Sequence, residues 1–296
     1  MEMPLARNPE RGIALPFALV VTLAMVVLVT DLGIRAQLAF DRARRAVRMV
    51  EARSLQKIIM RNLSRLDGKT VAALSEGQHE FDINDFQVRL AVEPLESRIN
   101  INRLDDLILG GPIKELFAAT LKRERFEKRA YPCALDWIDP DDDPRSDGAE
   151  GSDYSGEDVV PRNASFETID ELTLVRGFRD PSSFERIRPM LTAFGSGKIY
   201  IPAVSDKVMD AFEDVYGPVA RNSLEDIRRN PGRSLALPSN GVSPAARENL
   251  LLLITQAPTT WQITVVLTTR NFYAQSRYVL VFGDDPAKAQ TIVRVG

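Results

Sequence analysis

An uninterrupted apolar run near the amino terminus constrains this chain more than any other feature. Residues 13–30 carry no charged side chain, and as a helix they would measure about 27 Å at about 1.5 Å per residue. That length is close to the hydrocarbon core of a bilayer, which is about 30 Å thick. A secretory signal peptide has a shorter apolar core that ends at small residues before a polar chain, a pattern that does not follow here. The run therefore predicts a membrane-spanning helix that stays with the mature protein.

The apolar run continues into a charged segment that keeps helical periodicity. Small and apolar residues recur at steps of three and four, which places them on one stripe of a helix. These residues are Leu32, Ala36, Ala39, Ala43, Val47, Val50, Ser54 and Ile58. Nine basic against three acidic side chains give residues 31–66 a net charge of +6. We therefore expect one helix over residues 13–66, with its stripe packed on a globular body or on neighbouring helices; a single-pass anchor with a stalk is the simpler alternative.

The residues directly before the apolar run form a second signal. Gly12 follows Arg11 and abuts Ile13, the first residue of the run. A glycine at the junction of a short charged leader and an apolar helix is typical of prepilin-like leaders. We therefore expect residues 1–12 to be a leader that a prepilin peptidase removes by cutting between Gly12 and Ile13.

Composition limits what the remaining chain can do. The 296 residues are 44% hydrophobic and 27% charged, which leaves room for about two domains with cores of their own beyond the helix. The net charge of -3 argues against nucleic acid as a general partner, because phosphate binding needs a basic surface. Cys133 is the single cysteine, so an intramolecular disulfide is impossible.

Strand signals appear at both ends of the remaining chain. Residues 78–83 and 87–93 flank the turn residues Asn84 and Asp85, and their alternation of apolar and polar residues predicts two strands with one buried face. Residues 97–102 extend this pattern, residues 104–257 are predominantly helical in pattern, and three further strands are predicted at 261–269, 276–282 and 291–295. Because so few strands at either end would be unstable alone, we expect one sheet interrupted by a large helical insertion.

Three segments carry a resemblance to a known family. They are residues 97–102 (SRININ), 135–150 (LDWIDPDDDPRSDGAE) and 166–177 (FETIDELTLVRG). Together with the leader, they make the chain resemble the K-type minor pseudopilins of bacterial type II secretion systems. The resemblance implies an α+β, pilin-like fold, in which a long N-terminal helix and an antiparallel sheet are interrupted by a large inserted α-helical, SAM-like region.

The resemblance also implies a domain organisation and a place in the cell. We expect a single-pass inner-membrane protein with its body in the periplasm, at the tip of a pseudopilus with the I-type and J-type minor pseudopilins above the major pseudopilin. The expected parts are a leader at 1–12, the membrane and pilin helix at 13–66, the first part of the sheet at 67–103, an inserted helical domain with an acidic loop at 104–197, a second SAM-like module at 198–257 and the final strands at 258–296.

One residue of the apolar run bears on the position in the fibre. Most pilin-like proteins have a glutamate at the fifth mature residue, but that position here is Phe17. The K-type proteins typically lack this glutamate. A carboxylate in hydrocarbon is costly unless it is paired, so a subunit without it needs no partner ahead of it, and we take Phe17 as the marker of the first position in the fibre.

The acidic stretch after Leu135 is the strongest candidate for a binding site. Ten carboxylates face only Arg145 over residues 136–158, and such a density of like charge is offset by solvent or by a cation. Oxygen ligands suit calcium, and the resemblance implies calcium in this loop. The candidate ligands are Asp139, Asp141, Asp143, Asp147, Glu150 and Asp153. Pro144 stands where an EF-hand needs glycine, so an EF-hand is not expected, and a solvated acidic loop is the alternative.

Two other functional classes were weighed. A membrane-anchored envelope hydrolase would have to use His79, the sole histidine, which reads as a solvated turn residue, so no catalytic site is expected. A pilin-like DNA-uptake protein would use residues 166–189, which resemble a helix-hairpin-helix, but their one turn glycine and the acidic surroundings favour packing or protein contact. Trp137 and Trp261 are expected to be core anchors.

Overall fold

The fold combines one very long helix, an antiparallel sheet and a group of shorter helices. The computed structural model describes residues 14–157, 159–233, 237, 241–282 and 289–295, with backbone alone at residues 14–16 and 289–292. The helices are α1 (Ala14–Leu63), α2 (Gly68–Leu74), α3 (Gly110–Arg123), α4 (Ala130–Ile138), α5 (Pro181–Ile187), α6 (Asp206–Arg229) and α7 (Pro244–Leu253). The strands are β1 (His79–Ile83), β2 (Phe86–Pro94), β3 (Ile99–Asn100), β4 (Leu191–Thr192), β5 (Ile199–Tyr200), β6 (Ile254–Thr255), β7 (Thr260–Thr269), β8 (Phe272–Phe282) and β9 (Ala289–Arg294).

The five-stranded sheet joins the two ends of the body, as the sequence predicts. Its strand order is β1-β2-β7-β8-β9, and every neighbouring pair is antiparallel. The central pairing joins β2 to β7, with Leu90 opposite Val265, although nearly the whole inserted region separates these strands in the chain. The expected α+β fold, with a long helix and a sheet interrupted by a helical insertion, is confirmed.

The carboxyl end of α1 packs on one face of this sheet. The residues that α1 buries are Ala52, Leu55, Gln56, Ile59, Met60 and Leu63. Their spacing of three and four residues produces one apolar face at helical period. That face meets the inward side chains of the central strands, among them Leu90, Val265 and Leu280. The sheet and the end of α1 thus share one hydrophobic core.

The stripe predicted to pack on the body lies on the opposite side of α1. Val47, Val50 and Ile58 are 59%, 62% and 55% exposed, so the stripe does not pack on the globular body, and packing on neighbouring helices is the alternative that stays a prediction. The stripe and the buried face both repeat at helical period, and periodicity alone does not say which of the two meets the sheet. The stripe therefore leaves an apolar and small-residue surface open along the helix.

The amino-terminal part of α1 extends away from the body. From Phe17 to Glu51 its side chains are exposed, apart from the half-buried Arg48. The segment Phe17–Leu63 contains a window of mean hydropathy 2.4, none of which is buried. By length and composition this helix is able to cross a membrane. The chain therefore has the form of a single-pass anchor joined to a globular body.

The inserted region has a core of its own. One hydrophobic cluster runs from Ile99 to Leu253 and takes in side chains of α3, α4, α5, α6 and α7. Its largest fully buried side chains include Trp137, Phe117 and Phe212. The segments on both sides of residue 197 contribute to this core. Each segment also has one short parallel strand pair of its own, β3 with β4 before residue 197 and β5 with β6 after it.

Residues 97–102 do not extend the large sheet, which corrects the expectation from the sequence. After β2 the chain makes a 3₁₀ turn at Leu95–Ser97, and Ile99 then pairs in parallel with Leu191 of the inserted region. The side chain of Asn102 donates to the carbonyl oxygens of Phe166 and Ala193, each at 2.8 Å. These long-range hydrogen bonds, which leave no local pattern, draw the segment into the insertion. The short helix α2, capped by Asp67, is a second element that the sequence analysis did not predict.

Candidate metal centre

The candidate metal centre begins at the end of α4. This helix is buried along most of its length, and Asp136 lies within it with no exposed surface. Asp139 follows one turn later as the C-cap, in extended conformation, and is 4% exposed. Residues three apart lie on the same face of a helix, so the two carboxylates point the same way. Pro140 comes next and prevents the helix from continuing.

The loop after α4 returns a third carboxylate to the same place. The carboxylate of Asp136 accepts hydrogen bonds from the backbone N–H of Arg145 at 3.2 Å and of Ala149 at 2.8 Å, which folds the loop back over the helix end. Gly148 is required at the contact, because a Cβ there would lie 1.9 Å from Asp136 Oδ2. Glu150 then enters the core and is 1% exposed.

The three carboxylates form a compact oxygen cluster. One ligand oxygen each of Asp136, Asp139 and Glu150 lies within 4.8 Å of the others. Both oxygens of Glu150 and Oδ1 of Asp139 are buried and have no hydrogen-bond partner among the described residues. Buried carboxylates are normally paired or fully hydrogen-bonded. The site therefore presents oxygens that the described part of the chain leaves unsatisfied.

The pKa values of two of these carboxyl groups are raised, which also indicates that their negative charges lack compensation. Burial, followed by the charges of Asp136 and Asp139, raises the pKa of Glu150 to about 7. Burial also raises the pKa of Asp139, although the hydrogen bond from Arg145 opposes that rise. Both shifts mean that the ionised carboxylates are destabilised where they stand. A cation bound between them would reverse this effect.

Arg145 is the basic side chain that reaches the cluster. Its Nη1 lies 2.7 Å from Asp136 Oδ1 and also forms an ion pair with Asp139. Burial opposes the charge of this guanidinium, but the hydrogen bonds to Asp136 and Asp139 outweigh burial and raise its pKa. With one guanidinium among three carboxylates, the cluster remains acidic.

A hard divalent cation fits this donor set. Calcium takes six to eight oxygen ligands at about 2.3–2.6 Å in irregular geometries, and carboxylates are the ligands it prefers. The orphaned oxygens of Glu150 and Asp139 are the observation that supports the fit. Asp136, Asp139 and Glu150 would be the residues that hold the ion.

The six candidate ligands from the sequence fall into three groups. Asp139 and Glu150 belong to the buried cluster, whereas Asp141, Asp143 and Asp147 are exposed on the loop. Asp153 accepts a hydrogen bond from the backbone N–H of Glu150 at 3.0 Å and so fixes the start of the following turn. Asp136 was not among the candidates, and its spacing of three from Asp139 at a helix end is the signal that would have found it.

Aromatic side chains pack around Trp137, which follows Asp136 in α4. Trp137 stacks on Phe166 with ring centroids 6.2 Å apart and meets Tyr154 edge-on at 5.7 Å. Trp137 and Trp261 are 1% and 2% exposed, so the prediction that both are core anchors is confirmed.

The other candidate residues take structural positions. His79 lies at the start of β1, where its Nε2 is 2.9 Å from the carbonyl oxygen of Leu74. Cys133 is buried in α4. In the hairpin-like segment, Gly177 (φ 91°) packs so tightly on α4 that a Cβ would lie 2.6 Å from Ala130 Cα. This turn is therefore closed by packing rather than open to a phosphate.

Comparisons with known proteins agree with this architecture. Residues 97–196 match the family model described as type II secretion system protein K. No curated protein matches the chain. A chain in the crystal structure of the GspK-GspI-GspJ complex from the enterotoxigenic Escherichia coli type 2 secretion system is similar in fold, with a TM-score of 0.64 at 16% identity. The match covers 84% of this chain and 99% of that one.

The matched family segment coincides with the part of the chain that holds the carboxylate cluster. It starts at the turn that leaves β2 and ends just before β5. The pilin-like sheet and the long helix surround it on both sides in sequence, as the resemblance to the pseudopilins implies. Residues 97–196 therefore match the type II secretion system protein K family, and the fold of the chain is similar to that of the structural relative, as the resemblance to the K-type minor pseudopilins predicts.

Proposed function

We propose that this chain is a minor pseudopilin of a type II secretion system and acts as a structural subunit at the tip of a periplasmic pseudopilus. One observation carries the proposal: a protein K domain interrupts a pilin-like sheet that packs on the last turns of a long, otherwise unpacked helix. Such a helix suits both a membrane anchor and assembly with other helices. The role is structural, and no catalytic step is assigned to any residue.

The partners follow from the helix surface and from the structural relative. The relative was solved in complex with GspI and GspJ, and we propose that I-type and J-type minor pseudopilins bind this chain in the same way, with the major pseudopilin below them. The exposed stripe of α1 that includes Val47 and Val50 is the surface available to neighbouring helices. The anchor would lie in the inner membrane and the body in the periplasm.

Maturation is the next part of the proposal. The junction between Gly12 and Ile13 lies outside the described residues, so its support is the sequence alone. We expect a prepilin peptidase to cut there, and Gly12→Leu to leave the leader attached. The intact mass of membrane-extracted protein measures this directly. A mature terminus well beyond Thr30 would contradict it.

Phe17 supports the position at the tip. Its side chain is 69% exposed on α1, at the point where other pilin-like subunits carry the glutamate that pairs with a neighbour. Phe17→Glu should not improve assembly, because the new carboxylate would need a partner to offset about 2.5–3.5 kcal/mol in the bilayer. Crosslinking of the unmodified amino-terminal end to a subunit ahead of it would contradict the tip position.

Calcium is the ligand we propose for the carboxylate cluster. The support is the set of buried, unpaired oxygens on Asp139 and Glu150 beside Asp136. The ion would neutralise the repulsion between these groups and hold the loop after α4 onto the insertion core. Asp141, Asp143, Asp147 and Asp153 remain candidates for completing the oxygen shell from the loop.

The two alternative functions lose support. His79 and Cys133 belong to different parts of the fold, one beside α2 and the other inside the insertion core, so they do not form a pair for nucleophilic catalysis. In the hairpin-like segment, Arg176 and Arg179 both form ion pairs with Glu157. Their charges are therefore partly neutralised rather than displayed for a nucleic acid backbone.

Co-expression of the full chain with the I-type and J-type proteins of the same secretion system tests the proposal. Affinity capture of this chain from detergent extracts, followed by size-exclusion chromatography with mass detection, should yield one complex that contains all three proteins. A major pseudopilin captured under the same conditions provides the specificity control. Elution of the chain alone, with neither minor pseudopilin retained, would contradict the proposed function.

A further inference from the structure

Arg145 occupies an unusual place in the carboxylate cluster. It belongs to the loop that follows α4, yet its guanidinium turns back to form ion pairs with Asp136 and Asp139. The two carboxylates are 0% and 5% exposed as side chains, whereas Arg145 is 37% exposed. The acids are therefore fixed in the core, while the base has an open path to solvent.

The ion pairs leave Glu150 unsatisfied. Asp136 and Asp139 both contact Nη1 of Arg145, but neither oxygen of Glu150 has a partner among the described residues. A guanidinium carries one positive charge and donates along fixed directions. A calcium ion carries two positive charges and can be coordinated by oxygen atoms on all sides. The cluster is thus only partly compensated by the arginine, and a divalent ion would compensate all three acids.

A guanidinium and a calcium ion on these oxygens compete. Calcium needs its oxygens at about 2.3–2.6 Å, but Asp136 Oδ1 and Asp139 Oδ2 already accept hydrogen bonds from Nη1, which lies 2.7 Å from Asp136 Oδ1. Two cations held by the same pair of carboxylates also repel each other strongly in a buried site. Arginine stays protonated at any physiological pH, so deprotonation does not relieve the competition.

We infer that Arg145 is the resident counter-ion of the metal-free site, which calcium displaces toward solvent when it binds. This inference rests on the proposed calcium site and adds to it the residue that sets its affinity. The backbone hydrogen bonds of Asp136 to Arg145 and Ala149 do not involve the guanidinium and persist in both states. The loop therefore stays in place while one side chain exchanges with one ion.

The test compares calcium affinity in three versions of the full chain in detergent. Arg145→Gln removes the competing charge and keeps a polar side chain. Arg162→Gln is the matched control, because Arg162 is similarly exposed, at 41%, and forms its ion pairs with Glu167 and Glu171 outside the cluster. Isothermal titration of calcium into chelator-treated, dialysed protein measures the dissociation constant of each version.

The inference predicts opposite effects on affinity and on metal-free stability. Arg145→Gln should bind calcium about tenfold more tightly than the unmodified chain, because a like charge is gone, and Arg162→Gln should match the unmodified chain. In chelator, Arg145→Gln should melt below the unmodified chain, since three acids then lack any counter-ion. Saturating calcium should close or reverse that gap. Arg145→Lys, which keeps the charge, should bind close to the unmodified affinity.

Two results would overturn the inference in distinguishable ways. Equal or weaker calcium binding by Arg145→Gln, with clear binding by the unmodified chain, would show that Arg145 supports the site rather than competes for it. The calcium proposal would then be retained, and the displacement of Arg145 would be rejected. Absence of calcium binding by both versions, with the lower melting temperature in chelator retained, would reduce Arg145 to a structural ion pair and would remove the calcium proposal as well. Complex formation with the minor pseudopilins is independent of both.

Discussion

Two buried glutamates in different regions of the molecule differ in whether their carboxylates have hydrogen-bond partners. Glu96, where the large sheet meets the insertion, is 2% exposed and accepts hydrogen bonds from Thr259 N and Oγ1 and from Thr260 N at 2.9–3.2 Å. Glu150, in the insertion core, is 1% exposed and has no partner among the described residues. The same residue type at the same depth therefore has two different environments.

The difference indicates what each region needs in order to be stable. Hydrogen bonds to an ionised carboxylate compensate its desolvation, so Glu96 joins the β2 end to β7 without outside help. A buried carboxylate without a partner is costly and persists when something else compensates it. The joint is thus complete within the chain, whereas under the calcium proposal the insertion is completed by a bound cation.

The largest effect is expected at the joint. Glu96→Ala leaves the backbone N–H of the buried Thr260 and the N–H and hydroxyl of Thr259 without their acceptor, which should lower the free energy of unfolding by about 3 kcal/mol. The loss should be the same with calcium and with chelator. Urea unfolding of the full chain in detergent, followed by tryptophan fluorescence, measures it. If Glu96→Ala lowered the stability in chelator alone, this would contradict the claim that Glu96 is compensated within the chain and independently of calcium.

Calcium itself should have the next largest effect. At about a hundred times the dissociation constant, a ligand bound only by the folded state adds about 2.7 kcal/mol, and magnesium should add less because it tolerates irregular oxygen cages poorly. Glu150→Gln should abolish this gain. The measurement is the melting temperature with calcium, magnesium or chelator.

A paired variant of the exposed loop sharpens that experiment. Asp141→Ala combined with Asp143→Ala removes two acids that lie outside the buried cluster. A reduced calcium effect in this double variant would place loop oxygens in the shell of the ion. An unchanged calcium effect would restrict the site to the three buried carboxylates. Equal melting temperatures for all proteins and ions would leave only a solvated acidic loop.

The effect of pH on the free energy of unfolding of the metal-free protein should be slightly smaller than the effect of calcium. Burial and the neighbouring acids raise the pKa of Glu150 from its ordinary value of 4.5 to about 7, so its contribution to stability is present in full below about pH 4.5 and is lost as the pH rises through about 7. Between about pH 5 and about pH 7 the metal-free chain should lose about 2 kcal/mol. Thermal unfolding in chelator measures this, and Glu150→Gln serves as the control that should remove the dependence. A flat profile in the unmodified chain would show that Glu150 is already compensated.

The smallest effect on the isolated chain is expected at the open face of α1. Val50→Ser changes an exposed side chain and should alter the free energy of unfolding by less than about 0.5 kcal/mol. It should nevertheless weaken capture of the I-type and J-type partners, because helix association depends on close packing. Met49→Ser, exposed on a different side of the same turn, is the matched control. Equal capture by both variants would remove the stripe from the interface.

Elements defined by local patterns could be predicted from the sequence. The alternation of Val88, Leu90 and Val92 fixes the buried face of β2, and the uncharged run at 13–30 predicts the apolar, helical part of α1 that the structure describes from Ala14 onward. Trp137 and Trp261 are large and apolar in elements with clear periodicity, so their burial could be expected. These features depend on residues that are close together in the chain.

The features that were missed depend on distant partners. The side of α1 that meets the sheet is set by Trp261, Val265 and Leu280, some 200 residues away, and periodicity does not encode that choice. The placement of Asn102 depends on loop carbonyls beyond residue 160. Asp136 looked like one acid among many, because its burial results from α4 packing inside the insertion. Two of the three cluster residues, Asp139 and Glu150, could therefore be predicted from the sequence, whereas the burial of the cluster could not.

The most direct test of this account is hydrogen exchange of the full chain in detergent, compared with calcium and with chelator. The account predicts that calcium slows exchange over residues 130–157, which contain α4 and the loop, and leaves the strands β2, β7 and β8 unchanged. Uniform slowing over the sheet and the insertion, or no change over residues 130–157, would contradict the claim that the sheet is complete within the chain while the insertion is completed by a cation.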